Sequence, residues 1–226
     1  MESRRVVWLH FFRTDLSSGD QAELQRLLSP AELERAGRFQ FEADRTRFVA
    51  ARGTLRQILA RYLDASAIDV PLVAGIHGKP AIRRTASGGL FFNLSRARDL
   101  CVVAVSPGEE VGVDVEAVRP VDDALSIAKS RFTPAEAATI DSDQSFFALW
   151  TRKEAVVKCL GWGLSLPFDV FEVPVPTSAG PARVVVDYQG EKSVHWIQPV
   201  PLEEPGFIAS IATAGEEPLS LTSESD

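Results

Sequence analysis

The spacing of apolar residues predicts two long helices in this chain. Between Asp44 and Leu63, apolar side chains recur at three- and four-residue steps, which places them on one face of a helix. A second helical pattern runs from Phe146 to Leu160 and ends at Gly161, a residue type that commonly follows the last helical turn. Shorter helices with N-cap or periodicity signals are predicted at residues 20–28, 30–39, 122–131 and 134–140.

Short apolar runs between Gly, Pro and polar residues predict the strands. They lie at residues 5–12, 90–94, 101–105, 111–116, 171–173, 183–188, 193–198 and 207–212. Residues 75–81 and 95–99 are predicted to be loops, and the tail 215–226, rich in Glu and Ser, is predicted to be frayed. The elements indicate an α+β fold.

Charge divides the chain into two unlike halves. The 226 residues carry a formal net charge of −7, which argues against a generic nucleic-acid binder because such proteins present a positive surface to phosphates. Residues 1–105 are nevertheless net +5, whereas residues 106–226 are net −12. We therefore predict a basic N-terminal subdomain at 1–105 and an acidic C-terminal subdomain at 106–214, with the boundary near Ser106-Pro107-Gly108.

Cysteine and histidine usage excludes two common kinds of site. The two cysteines, Cys101 and Cys159, form no CxxC pair, and His10, His77 and His195 are far apart in sequence, so neither a disulfide scaffold nor a zinc site is predicted. No run of about 20 apolar residues occurs, and the N-terminus has no cleavage signal. We expect a cytoplasmic protein without a membrane partner.

Three carboxylates and a lysine are the candidate catalytic groups. Alternation along VGVDVE puts Asp114 and Glu116 on one face of a strand, and Glu154 and Lys158 lie one helical turn apart. Considered alone, each pair also has a non-catalytic interpretation. Asp114 and Glu116 could be a solvated strand edge, and Glu154 and Lys158 could be a common helix-surface ion pair. Together, the carboxylates form an all-oxygen set that suits Mg²⁺, and lysines beside it suggest phosphate chemistry.

Anion-binding groups are expected in the basic half. Lys79 lies in the segment GKP, and Ser95 and Arg96 lie in FNLSRAR, just after a predicted strand. Neither segment is specific by itself, because lysines in turns are usually solvated. The sequence contains neither GxxxxGK[ST] nor GxGxxG, so a P-loop or Rossmann phosphate site is not predicted.

The order of the motifs resembles one enzyme family. GKP, FNLSR, GVDVE, FTPAE and LWTRKEAVVKCLGWGLSLP occur in this order within residues 45–173. This resembles the 4′-phosphopantetheinyl transferase superfamily, specifically its larger type, which activates carrier proteins of polyketide, nonribosomal-peptide and fatty-acid synthases. The resemblance implies two similar subdomains, each a small antiparallel sheet with a long helix, related by a pseudo-twofold axis with the active site in the cleft between them. It also implies a monomer.

The resemblance further implies transfer of the phosphopantetheine arm from coenzyme A to a serine of an apo acyl, peptidyl or polyketide carrier protein. Asp114, Glu116 and Glu154 would bind Mg²⁺, or Mn²⁺ in its place, and Glu154 would assist deprotonation of the serine directly or through water. Lys158 would meet the attacked phosphate. Lys79, Ser95 and Arg96 would hold the remaining phosphates, and Glu136 of FTPAE matches an acidic position near the site.

Three points stay open in the sequence. Arg47 and Arg52 are assigned to coenzyme A, although the arginines of this helix would equally steer an acidic carrier protein or form a solvated face. Many family members have Ser-His where this chain has Ser95-Arg96, and we expect Arg96 to bind phosphate without the pH dependence of histidine. The alternatives are another Mg²⁺-dependent phosphotransfer enzyme and a catalytically inactive carrier-protein-binding module.

Overall fold

Two four-stranded sheets and two long helices make up most of the described part of the protein. The computed structural model describes residues 6–75, 79–83, 89–174 and 180–225, so residues 76–78 of the loop predicted at 75–81, His77 among them, lie outside the described residues. The strands are β1 (Val6–Arg13), β2 (Leu72–Ala74), β3 (Pro80–Ile82), β4 (Leu90–Ala97), β5 (Leu100–Pro107), β6 (Val111–Ala117), β7 (Ala182–Tyr188), β8 (Glu191–Val200), β9 (Phe207–Ala214) and β10 (Ser220–Ser225). The helices are α1 (Ser18–Gln25), α2 (Pro30–Gly37), α3 (Glu42–Leu63), α4 (Ala124–Arg131), α5 (Pro134–Ala137) and α6 (Asp143–Leu160).

Each sheet packs one face on a long helix. The first sheet has the strand order β10-β1-β5-β4, and the second has the order β6-β9-β8-β7. Helix α3 covers the first sheet through Leu55 and Leu59, which pack against Val103. Helix α6 covers the second sheet, where its apolar side chains join those of β7, β8 and β9. The structure thus confirms an α+β fold with two sheet-plus-helix subdomains; the pseudo-twofold axis remains a prediction.

The remaining faces of the two sheets pack against each other. This inter-sheet core contains valines of β6, which alternate along the strand with the polar positions of VGVDVE. Because Val113 and Val115 face this core, Asp114 and Glu116 share the opposite face, on the side of α6. The predicted alternation is therefore the feature that directs both carboxylates toward the helix that carries Glu154 and Lys158.

The two sheets also meet along their edges. Strand β6 is an edge strand, and the N–H groups of Val113 and Val115 donate to the side chains of Asn93 (2.9 Å) and Ser95 (3.3 Å) on β4, the edge of the other sheet. An edge N–H buried without a partner is costly, so these two side chains replace the missing neighbouring strand. The contact fixes β4 beside β6 at the position of Asp114.

Gly112 allows α6 to lie directly against β6. A Cβ atom at this position would be 2.1 Å from the carbonyl oxygen of Ala155 and 2.3 Å from the backbone nitrogen of Cys159. Both atoms belong to the backbone and cannot rotate away. The glycine of GVDVE is therefore required for the close approach that brings the C-terminal turn of α6 to the strand.

Several predicted boundaries differ from the structure. The expected loop at 95–99 is shorter, because Ser95 to Ala97 continue β4 and the chain reverses at Arg98, which has a φ of 53°. The strand predicted at 171–173 is wrong: the carbonyl groups of Phe168 and Phe171 accept hydrogen bonds from a lysine of α6 instead of from a neighbouring strand. The short strands β2 and β3 were not predicted.

The C-terminal tail differs from its predicted frayed state. Residues of β10 pair in parallel with β1, in a register that places Leu221 opposite Val7. Leu219 is buried and Leu221 packs against the inter-sheet core, so apolar burial holds an otherwise polar segment at the sheet edge. A strand from the end of the chain thus completes the N-terminal sheet. In the residues described, the helices are all too short or too polar to cross a bilayer.

Because His195 is buried, we expect the free energy of unfolding to fall at acidic pH. His195 lies on β8, and burial lowers its pKa from 6.5 to about 4. Between these values the unfolded chain binds a proton that the folded chain excludes, so lowering the pH from 7 to 5 should cost roughly 2 kcal/mol of unfolding free energy. Urea denaturation of wild type and His195→Gln at both pH values measures this. The variant should lose most of the decrease, and an equal decrease in both proteins would contradict the assignment.

Candidate functional site

Asp114 lies at the centre of the candidate site. Its Oδ1 accepts hydrogen bonds from Ser95 Oγ (2.9 Å) and from Lys158 Nζ (2.6 Å), and Lys158 Nζ also donates to Ser95 Oγ (2.9 Å). We call these three residues the Asp114 cluster. They come from β4, β6 and the last turn of α6, so the cluster depends on both sheets and on the close approach at Gly112.

Two further carboxylates interact with the cluster electrostatically. Burial raises the pKa of Asp114, against the lowering effect of Lys158 and of the hydrogen bonds that the carboxylate accepts. Burial also raises the pKa of Glu116, and the charge of Asp114 adds to this effect. Burial raises the pKa of Glu154 as well, with smaller raising contributions from Asp114 and Glu116. The three predicted carboxylates therefore lie near enough to repel one another, which favours a cation among them.

The donor set of the site fits Mg²⁺. Asp114 Oδ2 is buried without a hydrogen-bond partner, so one carboxylate oxygen of the cluster has unused bonding capacity. Within the described ranges, no three carboxylate, histidine or cysteine side chains are grouped closely enough to hold a metal ion. Mg²⁺ commonly takes only one or two carboxylates and completes its octahedral shell with water and substrate phosphate.

Lys79 contacts the end of α6 and Glu110 rather than the three carboxylates of the candidate site. Its Nζ donates to the carbonyl oxygens of Lys158 (2.8 Å) and Val111 (3.2 Å) and to Glu110 Oε2 (3.3 Å). The lysine of the GKP segment thus lies next to the backbone of Lys158, while the side chain of Lys158 reaches Asp114. Its predicted role as a phosphate ligand stays a prediction.

The other predicted coenzyme A ligands lie on the α3 side of the first sheet. Arg96 is exposed, and strand alternation puts it on the face of β4 opposite Ser95. Arg47 Nε donates to Asp99 Oδ1 (2.8 Å) in the turn between β4 and β5. In the part of the chain that the structure describes, no hydrogen bond or ion pair joins either arginine to the Asp114 cluster.

Arg52 contributes to helix packing. Its Nε lies 3.5 Å from Glu32 Oε1, its guanidinium lies over the ring of Phe48, and burial lowers its pKa. Arg56 also contacts Glu32 (2.8 Å) and donates to three backbone carbonyls, so these arginines attach α2 to α3. Arg52 and Arg56 of α3 are thus part of an internal ion-pair network with Glu32, and Arg52 as a coenzyme A ligand stays a prediction.

Sequence reasoning missed the role of Lys153. This lysine of the WTRKEAVVK segment is fully buried, and its Nζ lies 2.7 Å from Glu136 Oε1. Glu136 also accepts hydrogen bonds from the N–H groups of Thr133 (3.1 Å) and Val173 (2.7 Å). The carboxylate that the resemblance placed near the active site therefore forms a buried structural pair. Periodicity contained the signal, because Phe146, Leu149, Lys153 and Val156 follow one helical stripe.

Comparisons with known proteins find one family over both halves of the chain. Residues 110–212 match the family described as the 4′-phosphopantetheinyl transferase superfamily, and residues 17–108 match the one described as 4′-phosphopantetheinyl transferase, N-terminal. The chain is 35% identical over 217 residues to the 4′-phosphopantetheinyl transferase HetI of Nostoc sp., which covers 92% of this chain and 88% of the relative. It is 29% identical over 164 residues to the 4′-phosphopantetheinyl transferase Sfp of Bacillus subtilis, covering 70% and 71% respectively.

The two matched regions include both long helices and most strands of the two sheet-plus-helix units, apart from β1 and β10 of the first sheet, and the cluster joins β4 of one unit to β6 and α6 of the other. The alignment with HetI extends across both of them. The chain therefore belongs to the 4′-phosphopantetheinyl transferase superfamily, as an enzyme of its larger, two-subdomain type.

Proposed function

We propose that this enzyme transfers the 4′-phosphopantetheine arm of coenzyme A to a serine of an apo carrier protein and releases adenosine 3′,5′-bisphosphate. Family membership supports the reaction type. The observation that carries the proposal for this chain is the Asp114 cluster, in which a buried carboxylate with one unpaired oxygen contacts a lysine ammonium. The unpaired oxygen of Asp114 can bind a cation. The ammonium of Lys158, 2.6 Å from the other oxygen of Asp114, can bind an anion.

The residues then have distinct roles. Asp114, Glu116 and Glu154 would hold Mg²⁺, which would supply positive charge to neutralise the pyrophosphate of coenzyme A. Lys158 exchanges its contact with Asp114 for the phosphate that is attacked, and Ser95 donates to a neighbouring phosphate oxygen. These positioned charges act where negative charge develops in the transition state.

The chemical step is a phosphoryl-type substitution. The carrier serine oxygen forms a bond to the phosphorus that bears the pantetheine arm, and the bond from this phosphorus to the bridging pyrophosphate oxygen breaks. The serine proton passes to Glu154, directly or through water, and adenosine 3′,5′-bisphosphate leaves with the electron pair of the broken bond. A serine hydroxyl is a weak nucleophile, so alignment by the docked carrier protein is needed as well.

Removal of the metal should stop turnover and leave the fold intact. In excess chelator, we expect release of adenosine 3′,5′-bisphosphate to fall by at least about 100-fold, since the substrate charge is no longer neutralised. Added Mg²⁺ or Mn²⁺ should restore it. The thermal unfolding midpoint should change little, because Lys158 already contacts Asp114 without a metal. Undiminished turnover in chelator would contradict the metal assignment.

The proposed protein partner is an acyl, peptidyl or polyketide carrier protein, and the proposed active form is a monomer. The described residues already place both sheet-plus-helix units and the Asp114 cluster in one chain, which supports a site built within a single subunit. Light scattering of the active protein measures this, and activity confined to a dimer fraction would contradict it.

A further inference from the structure

We propose that Asn93 is a positioning residue for the reaction: it holds β4 against β6, so that Ser95 can exchange its backbone contact for a phosphate oxygen of coenzyme A while β4 stays aligned with Asp114. This inference deepens the proposed function, and its catalytic part rests on that function. Asn93 acts through Ser95 and is not assigned a contact with the substrate. Three observations support this role.

The first observation is the position of Asn93 on β4. Asn93 and Ser95 are both buried, and they share with Ala97 the face of β4 that is turned to the inter-sheet core. Apolar side chains make up this core. A buried amide that lacks a hydrogen-bond partner is costly, so the side chain of Asn93 favours the register in which its oxygen meets a donor.

The second observation is the spacing of the contacts between the two edge strands. Asn93 Oδ1 accepts the N–H of Val113. Ser95 Oγ accepts the N–H of Val115, so a two-residue step on β4 matches a two-residue step on β6. Moving β4 by one such step along β6 would take Ser95 away from Asp114. The contact of Asn93 therefore helps to select the register in which the Asp114 cluster forms.

The third observation is the unequal use of the two acceptors. Asn93 Oδ1 accepts the shorter of the two backbone bonds, 2.9 Å against 3.3 Å. Ser95 Oγ also donates to Asp114 and accepts from Lys158. In the proposed mechanism Ser95 turns to a phosphate oxygen, and the N–H of Val115 then loses its acceptor. The backbone bond of Asn93 involves neither the carboxylate nor the lysine, so it is kept when the cluster rearranges.

Hydrogen exchange of backbone amides, measured by NMR in the ligand-free protein, tests the contact without any need for catalysis. Asn93→Leu keeps a similar side-chain volume but removes the acceptor, so the N–H of Val113 should exchange at least about tenfold faster than in wild type. The N–H of buried Ile197 on β8 is the internal reference. Unchanged exchange at Val113, or equal acceleration at Val113 and Ile197, would overturn the proposal.

Three further variants make the exchange result specific to the acceptor oxygen. Asn93→Asp should recover most of the protection, because an aspartic acid side chain retains an acceptor oxygen in either protonation state. Gln57→Leu, the same kind of change at an exposed position on α3, should match wild type. Asn93→Ala gives the same comparison if the leucine variant does not fold. An aspartate variant that exchanges as fast as the leucine variant would contradict the role of the oxygen.

The second part of the proposal is tested with coenzyme A and Mg²⁺. In the wild-type complex, the N–H of Val115 should exchange at least about threefold faster than in the free protein, while the N–H of Val113 keeps its protection. For Asn93→Leu, kcat should fall by about 10- to 100-fold, and the dissociation constant of coenzyme A, measured calorimetrically, should stay within about threefold of wild type.

Two results would overturn this second part. One is a Val115 N–H that stays as protected in the complex as in the free protein. The other is coenzyme A binding that weakens about tenfold or more in Asn93→Leu with kcat unchanged, since that would make Asn93 a ligand-binding residue. If wild-type enzyme transfers nothing, the proposed function fails, and exchange in the ligand-free protein still decides whether Asn93 holds β4 to β6.

Discussion

Asp114→Asn should lower the rate of phosphopantetheine transfer by at least about 100-fold while leaving the protein folded. The amide keeps the size of the side chain and can still accept a hydrogen bond from Ser95. It removes the charge that the proposed mechanism needs for the metal. The side chain of Lys158 is 28% exposed, so water can solvate its ammonium once the charge of Asp114 is removed, and the loss of stability should be small.

The matched control is Asp187→Asn, the same chemical change at an exposed position on β7. Strand β7 is the far edge of the second sheet, three strands from β6, so this variant should transfer the arm at the wild-type rate. Rates come from a transfer assay at saturating coenzyme A, with circular dichroism to confirm folding. Full activity of folded Asp114→Asn in Mg²⁺ would remove Asp114 from the mechanism.

Lys153→Met should destabilise the protein by about 3–5 kcal/mol. The substitution preserves most of the side-chain volume but leaves the carboxylate of Glu136 buried without its cation. It also removes the donor to the carbonyl groups of Phe168 and Phe171, which hold the chain after α6. Urea denaturation of the purified variant measures the difference.

Two further variants make the result specific to the buried pair. Lys192→Met alters an exposed lysine and should change stability by less than about 0.5 kcal/mol. Combining Lys153→Met with Glu136→Gln removes both charges, and it should be more stable than Lys153→Met alone because no unpaired charge remains. A loss below about 1 kcal/mol for Lys153→Met would show that the pair is not needed for stability.

The local sequence was informative where a periodic pattern determined the geometry. The alternation of VGVDVE correctly directed Asp114 and Glu116 to one face, and the pattern of α6 correctly located its C-terminal end at Gly161. The predicted short helix after Thr133 is also present, and it begins with a capping box between Thr133 and Glu136. These features depend on residues that are neighbours in sequence.

The features that were missed depend on pairs distant in sequence. Lys153 and Lys158 are five residues apart, so their side chains point about 140° apart around α6. The family resemblance covers both lysines and does not show which one is structural. Arg56 of α3 is paired with Glu32 of α2, and no local pattern in the sequence shows this contact. The same holds for Lys79, whose bond to the Lys158 carbonyl spans 79 positions.

The charge difference between the two halves of the sequence only partly reflects which groups lie at the site. The basic half contributes Ser95 and Lys79 at the junction, and the acidic half contributes Asp114. Several arginines of the basic half are instead paired with carboxylates of the same half, such as Arg47 with Asp99 and Arg45 with Glu42. Net charge per half thus indicated where the two kinds of group are, but not which of them reach the site.

The central claim is that this chain modifies a carrier protein with the arm of coenzyme A, and intact-protein mass spectrometry tests it most directly. An apo carrier protein is incubated with the enzyme, coenzyme A and Mg²⁺, with Asp114→Asn as the matched inactive variant. We predict that the carrier protein gains the mass of one phosphopantetheine with wild-type enzyme, and that this gain is lost with the variant and when the carrier serine is replaced by alanine. An unchanged carrier mass with folded wild-type enzyme, across acyl and peptidyl carrier proteins, would contradict the claim.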